Sequence, residues 1–152
     1  MQQRKNLDLE LPFREICRQD AEQIFTNEIQ PQNNIDLSYL VGKNISSRYV
    51  LVYDYQGKTL GFLTFIDKGT HFHLDLVENN RKHKETTIHK PGYQLIKKLE
   101  DLSLTFGYPK ITLYSTDSRL SYYQDVHEYT VTGARRSDPH YDFLTPMEKI
   151  LT

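Results

Sequence analysis

The stretch Pro91–Ser115, PGYQLIKKLEDLSLTFGYPKITLYS, decides how the rest of the chain is read. It reads as a tight loop, one amphipathic helix and one buried strand. Leu95, Leu99, Leu102 and Phe106 recur at helical spacing, and Ile96 widens the stripe. Lys97, Lys98, Glu100 and Asp101 fall on the opposite, wet side. Gly107 supplies a left-handed stop, and Pro109 keeps the helix from resuming. Ile111 and Leu113 then alternate with Thr112 and Tyr114 along a short strand. A Pro-Gly pair and a loop full of cations precede the helix. Its N-terminus carries unpaired N–H groups and a partial positive charge, which suits an anion such as pyrophosphate.

Upstream of this stretch the period is that of strands. Arg48–Tyr55 and Lys58–Asp67 flank Gln56-Gly57, a two-residue hairpin turn. Lys68-Gly69 makes a second turn before Thr70–Glu78, giving a meander of three antiparallel strands. A polar segment, Asn79–Pro91, leads into the long helix. Downstream, Ser118–Val126 reads as a short helix, Glu128–Thr132 as a strand, residues 134–139 as a loop and Tyr141–Ile150 as a final strand. Pro146 lacks the N–H that a central strand needs, so a bulge or an edge position is expected there. At the start, Leu7, Leu9 and Leu11 alternate with charge as a first strand, and Pro12 can open a helix over Phe13–Ile29. Asn34 caps a second short helix holding Ile35, Leu37, Leu40 and Val41. The order β-α-α-β-β-β-α-β-α-β-β implies an α/β (α+β) domain with a mixed sheet.

With 152 residues and 38% hydrophobic content, the chain fits a single domain over 1–152. A formal charge of −1 gives no global attraction to nucleic acid or to an anionic membrane, so any basic patch is local. Cys17 stands alone, which rules out an internal disulfide framework and fits a reducing compartment. It sits in the first helical pattern as a packing residue. The polar N-terminus and the absence of a long apolar run lead us to expect a soluble, cytoplasmic protein without a signal peptide.

The element order and particular residues within it resemble the GNAT superfamily of acyl-CoA-dependent N-acetyltransferases. The match runs from about Arg48 to the C-terminus. It comprises a strand closing in Leu74-x-Leu76-Val77, a phosphate loop, and Gly92-x-x-Leu95 opening the long helix. Gly107 before Ile111-x-Leu113, Tyr122-Tyr123 in the next helix, and Met147-Glu148-Lys149-x-Leu151 complete it. The first 47 residues agree only in their strand-helix-helix order. The family's loop usually reads Arg/Gln-x-x-Gly-x-Gly/Ala. Aligning its last glycine to Gly92 puts Thr87 at the Arg/Gln place and Lys90 at the first glycine's. Either Lys90 adopts a conformation that glycine reaches more easily, or the loop holds phosphate in another way.

The resemblance implies a mixed, mostly antiparallel central sheet flanked by helices, with acetyl-CoA or another acyl-CoA as cofactor. It implies that Leu76 and Val77 offer backbone groups to the pantetheine arm. The pyrophosphate would sit against His89, Lys90, Pro91, Gly92 and Tyr93. The segment from Arg81 to Lys90 also holds Lys82, His83 and Lys84, offset only by Glu85. These cations read as phosphate contacts beside that site, or as a solvated basic loop. Aromatic residues are not interleaved among them, so no nucleic acid is expected. Tyr123 matches the place where many family members keep a tyrosine near the thioester sulfur, where it can protonate the departing thiolate. Tyr122 aligns less well.

His71, His73 and Asp75 alternate on one strand face, and a histidine of ordinary pKa can take the proton of an attacking amine. His73 is nearer the cofactor end of the strand. As metal ligands these three would spread too far along a strand to meet on one ion, so no metal is expected. The implied reaction is direct attack of a primary amine, on a small molecule or a peptide, upon acyl-CoA in a ternary complex. The alternative is a catalytically inactive member that senses acyl-CoA or serves as an interaction module. No membrane partner is expected, and the oligomeric state stays open.

Overall fold

The computed structural model describes residues 5–17, 20 and 47–152. Eight strands run through it: β1 (Phe13–Glu15), β2 (Arg48–Tyr55), β3 (Lys58–Asp67), β4 (Phe72–Asn79), β5 (Lys110–Thr116), β6 (Thr130–Val131), β7 (Arg136–Asp138) and β8 (Asp142–Ile150). Between them lie α1 (Thr86–His89), α2 (Pro91–Thr105), a 3-10 turn over Asp117–Arg119 and α3 (Leu120–Asp125). The strands form one sheet in the order β1-β2-β3-β4-β5-β8-β6, with β7 also paired to β8. Every pairing is antiparallel except β4 with β5. That parallel pair requires a crossover, and α2 supplies it. The mixed, mostly antiparallel sheet expected from the sequence is present. Among the described residues, no helix is long and apolar enough to cross a membrane.

The apolar stripe of α2 does what its spacing demands. Leu95, Ile96, Leu99 and Leu102 are buried against Leu51, Leu63, Phe65, Leu74, Ile111 and Leu113 of the sheet. Gly107, with φ 74, ends the helix, and Tyr108 N–H returns to Ser103 O at 2.8 Å.

The meander folds in the expected register, but its third strand is irregular where it matters. Thr64 of β3 pairs with Leu76 while Phe65 pairs with Leu74, so Asp75 is an extra residue in β4. A bulge of this kind bends the strand. On its other side, β4 pairs with β5 only from Phe72↔Ile111 to Leu74↔Leu113. Beyond that point β4 runs on to Asn79 and β5 to Thr116 without a shared ladder. The two strands part like the arms of a V. The bulge also changes the phase of alternation, so Phe72, Leu74 and then Val77 all face the core beneath α2.

Four expectations need correction. The first strand lies at Phe13–Glu15, paired with Leu51–Tyr53, and not within residues 1–11. Leu7 is buried but Leu11 is 73% exposed. Asp8 has φ 50 and its N–H is taken by Asn6 Oδ1, a local turn that interrupts the extended run. The same strand displaces the expected helix start at Phe13: the free edge of β2 recruits the segment, and Arg14 is clamped by Asp54 and Asp20 at 3.0 and 2.7 Å. The remainder of that helix and the one expected after Asn34 lie almost wholly outside the described residues. Within the expected loop at 134–139, Arg136–Asp138 instead pairs with β8. Asp138 Oδ1 accepts the N–H groups of His140 and Tyr141 and so closes the hairpin.

Pro146 sits in a strand paired on both sides and without a bulge against β5. Its carbonyl accepts Thr132 N–H at 3.0 Å, on the side where β6 and β7 leave a gap. The missing N–H points into that gap, so no ladder bond is lost. Leu99→Ala is expected to lower unfolding free energy by about 2–5 kcal/mol in urea titration, because Leu99 is fully buried between α2 and the sheet.

Candidate functional site

Where β4 and β5 part, a cleft of about 780 Å³ opens. Val77, Glu78 and Asn79 of β4 form one wall. Thr86 and Thr87 of α1, with Lys90, Gly92 and Tyr93 at the start of α2, form the second. Arg119, Tyr122 and Val126 close the third side. Those three residues follow a spacing of three and then four, so they share one face of α3 and its flanks.

The N-terminus of α2 carries Pro at its first position, which has no N–H to satisfy. Gly92 N–H donates to Asn79 Oδ1 at 2.9 Å, and Gln94 N–H donates to Lys90 O at 3.1 Å. The Tyr93 N–H is the first-turn amide left without an acceptor among the described residues. A Cβ at position 92 would lie 3.1 Å from Asn79 Oδ1 and 3.6 Å from Val77 Cγ2. A side chain at this place would crowd the Asn79 carboxamide, and glycine avoids that contact. One amide is thus capped from within the protein and its neighbour is not.

Lys90 links α1 to α2 with φ 49 and ψ 60, the left-handed conformation that was one of the two alternatives for its place in the loop. Its N–H returns to Thr86 O at 3.0 Å and ends the short helix. Glu85 pairs with Lys58 at 2.7 Å, which ties α1 to β3. Among the described residues, Lys90 and Arg119 are the cations on the cleft walls; Arg81, Lys82, His83 and Lys84 are not among its lining residues. The Arg119 guanidinium lies over the Tyr122 ring at 5.7 Å.

Of the residues expected to meet a cofactor, Val77, Lys90, Gly92 and Tyr93 border the cleft. The others frame it. Leu76 is buried and turned to the far sheet face by the bulge before it. His89 packs on Tyr55, with ring centroids 4.1 Å apart. Pro91 presses on Gly61, where an added Cβ would come within 2.9 Å of Pro91 Cβ.

The expected catalytic pair is placed elsewhere. Tyr123 is 8% exposed in the core cluster, against Tyr129, and burial pushes its hydroxyl pKa far up. Its neighbour Tyr122 borders the cleft, a hundred degrees around the same short helix. His73 lies in a separate cavity of about 290 Å³ with Lys68, His71 and Tyr114. Its Nδ1 is 2.8 Å from Thr112 Oγ1, and burial holds its pKa below the ordinary value. Four residue steps along the strand, roughly 13 Å, separate it from Val77. Glu78, 2% exposed, is the carboxyl group that does border the cleft. Glu78, Asn79 and Arg119 are therefore cleft residues to which the sequence reading gave no role, and Tyr122 is one it ranked behind Tyr123. For Arg119 and Tyr122 the signal was available in their spacing with Val126.

No protein-family model matches the sequence, and no curated protein matches it in sequence. Solved structures do match in shape. The ribosomal-protein-S18-alanine N-acetyltransferase of Escherichia coli superposes with a TM-score of 0.71 at 11% identity, covering 92% of this chain and 93% of the other. A GCN5-related N-acetyltransferase from Rhodopseudomonas palustris gives 0.65 at 18% identity, covering 97% and 100%. The chain has the GNAT fold. PaiA N-acetyltransferase from Thermoplasma acidophilum, solved in complex with coenzyme A, gives 0.62 at 13% identity, covering 93% and 99%. The likeness in fold therefore spans nearly the whole chain, while the sequence identities stay between 11% and 18%.

The left-handed lysine yields a stability test. A side chain in this conformation is disfavoured by about 1–2 kcal/mol, while glycine loses roughly 0.5–1 kcal/mol in chain entropy. Lys90→Gly is thus expected to raise unfolding free energy by about 0.5–1 kcal/mol in urea titration, despite removing a charge from the loop.

Proposed function

We propose that the protein is an acyl-CoA-dependent N-acyltransferase, passing an acetyl or other short acyl group to a primary amine by direct attack in a ternary complex. The observation that carries this reading is the cleft at the β4–β5 parting, walled by the N-terminus of α2. The residues present fit the cofactor. The Tyr93 amide, the bare backbone at Gly92 and Lys90 lie together at the start of α2 and suit a diphosphate, with a second cation, Arg119, on another wall of the same cleft. Val77 and its neighbours on β4 have no β5 ladder partner and lie open to a pantetheine amide chain. When bound, acyl-CoA supplies the thioester carbonyl that the amine attacks.

The chain's own residues then divide the proton work. Glu78 is the carboxylate at the cleft that can take the proton of the acceptor ammonium, directly or through water. It stands where His73 was expected to act. Tyr122 holds a proton at Oη on the opposite wall for the departing thiolate, the role expected of Tyr123. The acceptor class is an amine on a small molecule or a peptide.

A second reading has an observation in its favour. Asn79 Oδ1 already occupies the Gly92 N–H, and a lysine replaces the loop's usual glycine, which fits a protein that binds acyl-CoA without turning it over. Calorimetry with acetyl-CoA, paired with thiol release across an amine panel, separates the two. Binding with release supports the transferase; binding without release supports the sensor.

Two variants test the site. Gly92→Asp, which puts bulk and negative charge against Asn79 and Val77, is expected to weaken acetyl-CoA binding more than tenfold; unchanged affinity would refute the diphosphate seat. Tyr122→Phe is expected to lower kcat about a hundredfold with little change in KM for acetyl-CoA. An equal loss in Tyr123→Phe alone would return the role to that residue.

A further inference from the structure

Immediately after α3 the chain doubles back. Val126 N–H bonds to Tyr122 O at 3.0 Å, Glu128 takes φ 63, and Tyr129 N–H reaches Tyr123 O at 3.0 Å. This closure folds His127 under the helix it follows. The imidazole is completely buried, with ring centroids 4.8 Å from Tyr122 and 5.2 Å from Tyr93, both cleft residues. Its Nε2 lies 2.9 Å from Tyr122 Oη. Its Nδ1 is buried and has no hydrogen-bond partner among the described residues.

That orphaned nitrogen decides the tautomer. A proton on Nδ1 would bury an N–H without an acceptor, which proteins tolerate less readily than a bare lone pair. The ring is also neutral near pH 7, since burial, helped by Lys97 and Lys149, brings its pKa down to about 4. The single proton therefore resides on Nε2.

We infer that His127 is a positioning residue for Tyr122: its Nε2–H donates to Tyr122 Oη, so the phenol's own proton is directed into the cleft. Burial by itself raises the pKa of Tyr122 and makes it a poorer acid. A donor fixed on the oxygen opposes this, because it stabilises the phenolate more than the phenol. The inference rests on the acyltransferase reading above. In that reaction the C–S bond breaks with its electron pair on sulfur, and the Tyr122 proton passes to the thiolate. The charge left on Oη is then held by the His127 N–H.

Nitrogen-15 spectra of ring-labelled full-length protein read the tautomer without any substrate. The His127 signals are identified by their loss in His127→Gln. A protonated Nε2 and an unprotonated Nδ1 are expected; the reverse would overturn the inference. Kinetics with acetyl-CoA and a panel of primary amines provide the second arm. His127→Leu is expected to lower kcat about tenfold with KM for acetyl-CoA unchanged. His127→Gln, whose amide can still donate, should recover kcat to within about threefold, and His127→Leu should add no further loss to Tyr122→Phe. Wild-type turnover in His127→Leu beside a slow Tyr122→Phe overturns this inference alone. Wild-type turnover in both variants overturns the role given to Tyr122 as well.

Discussion

The parting of β4 from β5 is the constraint on which the rest of the molecule depends. Three residue pairs hold the two strands in parallel, ending at Leu74 and Leu113, and the bulge at Asp75 bends β4 away at that point. The same extra residue resets the alternation of β4. Val77 thereby faces the core side, and the Asn79 side chain meets the first turn of α2. A regular β4 would continue its ladder with β5, leave no gap, and send these side chains to the other face. Backbone pairing, more than any single side chain, creates the cleft.

At the mouth of that cleft the protein balances two demands. A helix N-terminus buried without partners is unfavourable, and Asn79 relieves it by accepting the Gly92 N–H. The diphosphate seat proposed above needs the same groups free. The compromise leaves the neighbouring Tyr93 amide open and places Lys90 and Arg119 on the walls. In the proposed function a diphosphate would meet the Tyr93 amide and Lys90 at the start of α2, with Arg119 on a further wall, and would compete with a neutral carboxamide for the Gly92 N–H. The strained backbone of Lys90 fits this picture. It turns the chain abruptly from α1 into α2 and keeps a cation at the turn, where a glycine would give the turn alone.

Much of this was legible in the chain itself. The stripe of α2, the Gln56-Gly57 hairpin and the order of the meander follow from period and turn chemistry, and the resemblance to the family's loop offered a left-handed Lys90 as one of two alternatives. The Asp75 bulge was not legible, because Leu74, Leu76 and Val77 read equally well as one apolar strand end. From that came the expectation that His73 lies near the cofactor end: without the bend, His73 and Glu78 look like neighbours on one arm, whereas the structure puts them at separate cavities. Tyr122 and Tyr123 are adjacent on a helix shorter than two turns, so alignment alone cannot say which one faces the cleft. The start of the chain failed for a different reason. Alternating leucines give the correct period for a strand, but the pairing partner was available two residues later, beside β2.

The central claim is that the open corner at the start of α2 seats the diphosphate of an acyl-CoA, and amide spectroscopy tests it most directly. Titrating coenzyme A into nitrogen-15-labelled protein should move the Tyr93 and Gly92 amide signals first and furthest, with Val77 following as the pantetheine arm enters the strand gap. Saturation that leaves Tyr93 and Gly92 unmoved, or shifts confined to another face of the sheet, would contradict the account.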